Sequence, residues 1–360
     1  MKNLNQSPPK IRTVAIIVGL ICGSMFLSSG CEKDIIDPDQ NTENTFKDPN
    51  ENMPSCWTAL DNMKKKRNAH MIATLEKKIY VAGGVSEKSG NTFESYDSDT
   101  DSWETLTRMP SAREWGSACA INGKIYFIGG WWEEETLDIV EAFDPQTNRW
   151  TSMTPMPSRR WGHTAVAFED KIYIIGGVLD WPLNKYYKTV EIYDPESDTW
   201  TTRSAPASSG IIPRWGFGTC VASGKVYFIG GIDCQEPPWS KDVNAMSTVE
   251  VYNLVNNTWE EKTSMPTARW GLSVVNLDNM IYAMGGAPTY FPNKKLTTIE
   301  VFDPDSDTWT LKSRLPKGII GLAACTLNNL IFVTGGGGID PLDEYVGVYM
   351  YDPSCDSGSE

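Results

Sequence analysis

Eight tryptophans and a recurring arginine are the side chains of this 360-residue chain that offer recognisable binding chemistry. Trp115, Trp161, Trp215 and Trp270 each stand directly before a Gly, whereas Trp131, Trp132, Trp181 and Trp239 follow shortly after a Gly-Gly pair. Arg160, Arg214 and Arg269 immediately precede their Trp-Gly; Arg113 stands one residue further away, and Arg67 holds the matching place nearer the N-terminus. Indole faces stack on sugar rings, and guanidinium groups pair bidentately with carboxylates. Such a set suits a neutral or acidic sugar, or a peptide. A second reading stands beside it. Glu141, Glu191, Glu250 and Glu300 recur at a similar interval, which fits an Arg–Glu pair repeated inside the fold, with the Arg-Trp-Gly indoles packing between repeats.

Residues suited to catalysis are sparse. His70 and His163 are the two histidines of the chain and occupy matching repeat positions, too few for a zinc site of the usual kind. No Gly-x-Ser-x-Gly, phosphate loop or Cys-x-x-Cys is present. Asp97-Ser98-Asp99-Thr100-Asp101 and Asp303-Pro304-Asp305-Ser306-Asp307 imitate the start of a calcium loop but lack its later Gly and Glu, so turn chemistry explains them. Arg113-Glu114 is the one acid/base candidate beside a carboxylate clamp. No catalytic residue, metal or cofactor is assigned. The net charge of −14 and pI near 4.7 argue against nucleic acid or an anionic membrane surface as partner.

The elements that must position these residues repeat. Met265–Trp309 contains three short apolar runs, Leu272–Leu277, Met280–Met284 and Thr298–Phe302, and a fourth opens at Trp309. Each is of strand length and bounded by Gly, Pro, Asn or Asp. Gly-Gly recurs at 83, 129, 176, 230, 285 and 335, and a Trp follows at 103, 150, 200, 259 and 309. From Trp57 to Gly84, Trp103 to Gly130, Trp150 to Gly177, Trp259 to Gly286 and Trp309 to Gly336 the interval is 27 residues; only Trp200 to Gly231 is longer, by an insertion at Ser208–Ile212. Four strands per unit at this period predict a propeller. Strand parity then gathers the Trp-Gly indoles and the loop indoles around one mouth of the central channel, with Tyr186, Tyr187, Tyr290 and Phe291 in neighbouring loops.

Cys56-Trp57-Thr58 reads as a fourth strand lacking the first three, while Leu330–Thr334, Gly335-Gly336 and Val346–Pro353 lack a following Trp. Joined, they complete a sixth blade and remove the open sheet edge. Aligning Cys355 on Ser306 and Cys56 on Thr308 makes the two cysteines neighbours across a turn, which predicts a Cys56–Cys355 disulfide in an oxidising compartment. Cys119, Cys220 and Cys325 share one strand position and read as small buried residues; Cys234 falls in a loop.

Gly-Gly closing the second strand, Tyr-Asp-Pro after the third and Trp opening the fourth resemble the kelch repeat, over about Pro54 to Cys355. The resemblance implies an all-β, six-bladed kelch-type β-propeller closed by an N-terminal strand. Kelch adaptors of ubiquitin ligases use arginines placed like Arg160, Arg214 and Arg269 to grip acidic peptides, whereas periplasmic six-bladed members include sialic acid mutarotases. The copper ligands of kelch-type oxidases do not assemble here. The sixth unit, Lys317-Gly318-Ile319-Ile320-Gly321, lacks both Arg and Trp.

Lys2, Lys10 and Arg12, an apolar run over Val14–Leu27 and Ser28-Ser29-Gly30-Cys31 read as a secretory signal over residues 1–30, with lipidation at Cys31 resembling a bacterial lipoprotein. Residues 31–53, rich in Asp, Glu, Asn and Pro, read as a tether, and 356–360 as a tail. The expectation is a monomeric protein anchored by lipid in the bacterial cell envelope, with the ligand at Arg113, Trp115, Trp131, Trp132, Arg160, Trp161, Trp181, Arg214, Trp215, Trp239, Arg269 and Trp270. A glycan or protein ligand is expected, with a sialic-acid epimerase-like sugar isomerase as the alternative.

Overall fold

The computed structural model describes residues 53–84, 90–180, 185–204, 214–233, 245–289, 294–337 and 346–358. The signal and lipidation site at Cys31, the tether up to residue 52, and Trp181, Cys234, Trp239, Tyr290 and Phe291 lie outside the described residues.

Six four-stranded antiparallel sheets follow one another. The first strands of blades one to five are Met71–Leu75, Ser117–Ile121, Thr164–Phe168, Gly218–Ala222 and Ser273–Leu277, and each sheet proceeds outward in chain order. The sixth blade runs Ala323–Leu327, Leu330–Thr334, Val348–Tyr351 and finally Trp57–Ala59, which pairs Trp57 with Tyr351 and Ala59 with Tyr349. The N-terminal strand therefore closes the ring, and six blades form, not seven. Cys56 and Cys355 form a disulfide beside that seam, their Cα atoms 5.7 Å apart. Mass mapping without reduction is expected to recover the Cys56 and Cys355 peptides linked; two free thiols in protein from an oxidising compartment would contradict it.

The sequence pattern explains the layering. Second strands such as Lys171–Ile175 and Leu330–Thr334 are buried on both faces after their first residue, so they read as unbroken apolar runs. Fourth strands such as Thr308–Lys312 form the rim, mostly exposed, and their Trp covers the blade beneath. That Trp also ties blades together. The indole N–H of Trp103, Trp150, Trp200 and Trp309 donates to the carbonyl of Asp61, Thr107, Thr154 and Thr263 respectively, at 2.8–2.9 Å.

The acidic turns do similar work. Asp101, Asp198 and Asp307 accept the backbone N–H of Asp61, Thr154 and Thr263 in the preceding blade at 3.0, 2.8 and 3.0 Å. Asp97 and Asp303 cap their own turns. These aspartates are therefore bound up in turns, as their sequence context indicated. Asp356 does the same for the sixth blade, accepting from Ser313 N at 3.0 Å and from the Tyr351 hydroxyl. The last turn thus extends past the expected boundary at 355, because Asp356 stands five residues after Tyr351 as Asp101 does after Tyr96.

Candidate functional site

The arginines do not line the mouth. Arg67, Arg113, Arg160, Arg214 and Arg269 are 0–5% exposed, and each meets a buried glutamate: Glu94, Glu141, Glu191, Glu250 and Glu300. Their Nη1 atoms also donate to carbonyls at the end of the second strand, as Arg160 does to Gly176 at 2.9 Å and Arg214 to Gly230 at 3.0 Å. The expectation that Arg113, Arg160, Arg214 and Arg269 bind ligand is therefore corrected. Burial in low dielectric demands a partner for every charge, and the repeated Glu supplies it. Where the sixth blade replaces Arg by Ile319, the Glu position holds Tyr349, and both pack in one apolar cluster. Glu94 escaped the sequence reading, although it stands two residues before Tyr96 as Glu191 does before Tyr193. The Ser and Thr two residues before Arg were missed too: Ser111 and Thr267 donate to Glu141 and Glu300.

The mouth is organised by the residue that starts each blade. Ala69, Trp115, Gly162, Gly216, Gly271 and Gly321 all have positive φ, between 53° and 65°. That conformation turns their backbones around the channel, so Trp115 N donates to Ala69 O, Gly162 N to Trp115 O, Gly271 N to Gly216 O and Gly321 N to Gly271 O, at 2.6–3.1 Å. Glycine adopts it freely; Trp115 does not. Arg113 is consequently in register with the other arginines, and Trp115 is the displaced residue, occupying a glycine position. Aligning Met109-Pro110 on Met156-Pro157 would have shown this.

The residue before each ring position forms a second tier: Asn68, Glu114, Trp161, Trp215, Trp270 and Ile320. Trp270 lies over Gly216 and Ile320 over Gly271, each covering the preceding blade. Trp161, Trp215 and Trp270 are only 9, 8 and 4% exposed and share a cluster with Val178, Ile232, Ala287 and Ile320. Among the described indoles, Trp115, Trp131, Trp161, Trp215 and Trp270 do gather in one cluster, but Trp161, Trp215 and Trp270 are packing residues between blades and are withdrawn as direct ligand contacts. Trp115, Trp131 and Trp132 remain partly accessible.

Glu114 is the one charged residue of this tier. It pairs its backbone with Trp131 as Trp161 does with Val178, and is 9% exposed. Its carboxylate meets no hydrogen-bond or ionic partner among the described residues, and burial alone pushes its carboxyl up to about 7. The neighbouring hairpin has the longest strands among the described residues. Lys124–Trp132 and Glu135–Asp144 continue past Gly129-Gly130, placing Trp131 and Trp132 on a projecting ribbon with Glu133, Glu134 and Glu135 exposed at its tip.

Beneath the ring lies a cavity of about 150 Å³, lined by Trp115, His70, His163, Phe217, Thr219 and the ring glycines. The histidines are structural. Each packs on a Gly of the preceding blade, His163 against Gly129 and His70 against Gly335. Burial, with Arg67 or Arg160 nearby, drives both imidazoles down to about 3, so they stay neutral. Among the described residues the channel wall is least closely packed between blades three and four: a Cβ on Gly162 would meet nothing within 4 Å, and one on Gly176 only Phe217. Cys119, Cys220 and Cys325 are free and buried, with Cys119 pushed up to about 12 by desolvation. Among the described residues the cluster with metal-like spacing is Cys56, Cys355 and Asp356, whose sulfurs are joined to each other.

A closed ring of six four-stranded blades with this repeated Arg–Glu clamp is a β-propeller. Residues 125–357 match the family model described as Attractin/LZTR1 beta-propeller, and residues 3–177 that of the KLHDC2/KLHL20/DRC7 Kelch-repeats domain. The chain belongs to the kelch-repeat β-propeller family. Human Kelch-like protein 28 is 40% identical over 98 residues, covering 27% of this chain and 16% of that protein. Zebrafish (Danio rerio) Kelch-like protein 26 is 33% identical over 219 residues, 60% of this chain and 27% of its own. Kelch-like protein terF of Aspergillus terreus is 26% identical over 298 residues, 76% and 60%. The match thus spans under two thirds of each of these relatives. A solved structure described as "Structure of YjhT" aligns with TM-score 0.67 and 16% identity over 81% of this chain and 95% of that one, a likeness of fold.

Proposed function

We propose that this protein is a binding scaffold whose ligand, a glycan or a protein, docks at the propeller mouth on the side of blade two. The observation that carries this is local. There the tier holds Glu114, a residue nine-tenths buried whose carboxylate meets no partner among the described residues, and Trp115, Trp131 and Trp132 stay partly accessible near it. Kelch-repeat propellers are protein-binding scaffolds, and loops and hairpins at one face of a rigid ring are where such folds carry recognition. The N-terminal signal and Cys31 support a lipid-anchored place in the bacterial envelope, with the propeller held off the membrane by the acidic tether. Labelling with a radioactive fatty acid, lost in Cys31→Ser, tests that anchor.

Changing Trp131 to Ala is expected to weaken binding of whichever ligand a glycan array or pull-down yields, with a smaller loss of melting temperature than Trp309→Ala, because a partly exposed ribbon residue carries less packing than a rim tryptophan bonded to the preceding blade. Trp181→Ala and Trp239→Ala belong in the same series. Equal thermal losses would make these indoles packing residues, and unchanged binding would move the site elsewhere.

A sugar isomerase is the second reading, favoured by Glu114, whose carboxyl near 7 suits proton transfer at neutral pH. Arg113 does not support it, being occupied by Glu141. Interconversion of sialic acid anomers followed by NMR decides between them.

A further inference from the structure

With the arginines withdrawn into ion pairs, the chemistry that the described residues leave beside blade two is acidic and aromatic. Glu114 is nine-tenths buried and unpartnered among the described residues, in a tier that elsewhere holds Asn68, Trp161, Trp215, Trp270 and Ile320 and no other charged group. Trp115 follows it in sequence and meets Trp161 edge to face at 6.3 Å between centroids. Trp131 is bonded to it through both backbone groups, at 3.0 and 2.8 Å. Both indoles are partly buried against the same apolar cluster. Beyond them the ribbon ends in three exposed glutamates. We propose that this corner binds an alkylammonium group, with Glu114 as its counter-ion and the indoles of Trp115 and Trp131 as its walls.

Three independent features favour a cation. A buried carboxylate without a partner is costly, and a cationic ligand supplies the missing charge, whereas a neutral one leaves it uncompensated. Indole faces carry negative potential and attract ammonium groups, most strongly where water is excluded. The chain carries a net charge of −14, and the ribbon tip places Glu133, Glu134 and Glu135 where they would draw a cation in. An anionic ligand finds the opposite, since the five repeat arginines that could receive it are each paired with glutamate.

The inference rests on the mouth being the binding face, and its test separates the two. Full-length protein is titrated with choline, with Nα-acetyl-lysine amide, and with 3,3-dimethyl-1-butanol, the uncharged isostere of choline, while tryptophan indole N–H resonances are followed by NMR. Choline or the lysine amide should shift the Trp115 and Trp131 signals and the alcohol should not. Stronger binding of choline points to a quaternary headgroup, and stronger binding of the amide to a primary amine such as a lysine side chain. Glu114→Gln should weaken the cation by about tenfold or more, and Trp131→Ala should weaken it too. If the alcohol binds as well as choline and Glu114→Gln changes nothing, the cation proposal is overturned while the mouth remains a binding face. If neither cation moves these indoles, the proposal is likewise overturned, and the Trp131→Ala series with the screened ligand then decides the mouth on its own.

Discussion

Arg269→Ala is expected to cost roughly 3–5 kcal/mol of unfolding free energy, the usual cost of breaking a buried ion pair by removing one partner. Arg269 is fully buried, its Nη2 lies 3.0 Å from Glu300, and its Nη1 donates to Gly285 and Thr298 carbonyls at 3.2 and 3.0 Å. The variant strands the Glu300 carboxylate in the interior and leaves both carbonyls short of a donor. The sixth blade shows how the same place is filled without charge, by Ile319 and Tyr349. Arg269→Ile combined with Glu300→Tyr is therefore expected to recover most of the loss, since apolar replacement of both partners removes the desolvation cost along with the attraction. Urea unfolding of the two single variants and the double variant forms a cycle that reads the coupling directly. Single variants as stable as the parent would mean the arginines are available for another task after all.

Glu114→Gln is expected to act in the opposite direction, raising stability by roughly 3 kcal/mol at pH 8. The carboxyl is held near 7 in the folded protein against 4.5 when unperturbed, and the cause is desolvation. A folded value above the unfolded one means the folded state prefers the protonated group. Its favourable contribution is complete below about 4.5 and is lost as pH rises through 7. The parent should therefore weaken relative to Glu114→Gln between pH 4.5 and 8, with the two converging in acid. Unfolding free energies measured at pH 4.5 and pH 8 check both sign and window. A pH-independent difference would mean that Glu114 is solvated or paired. A residue that destabilises the ring at working pH yet stands beside the partly accessible Trp115 and Trp131 is expected of a binding group, because stability at such sites is given up for an unpaired charge.

Much of this was legible from local pattern. The six strand quartets announce themselves through Gly-Gly and Trp at constant spacing, and the orphan strand at Trp57 could pair only with the three strands at the other end. Cys56 and Cys355 followed from repeat alignment, because a repeat carries coordinates as well as sequence. The role of the arginines was not decided. Arg before Trp-Gly looks the same whether its side chain turns outward to a ligand or inward to a glutamate on the third strand, and that choice depends on which residue lies across the sheet. The indoles posed the same difficulty. Periodicity brought them to one face, but not to a depth.

What the chain determined by itself is the architecture: blade number, ring closure, strand roles and the clustering of Trp115, Trp131, Trp161, Trp215 and Trp270. These follow from spacing and apolar periodicity, which are local and repeated. Only the tertiary structure decided which polar groups are already satisfied. It buried five arginines against five glutamates, locked Trp161, Trp215 and Trp270 between blades, and put Trp115 in a left-handed glycine position. It left Glu114 enclosed without a partner among the described residues. The physical reason is that desolvation and charge pairing are properties of a place, set by neighbours from distant parts of the chain. A repeat motif specifies where a residue stands in its blade, while the adjoining blade determines what it touches.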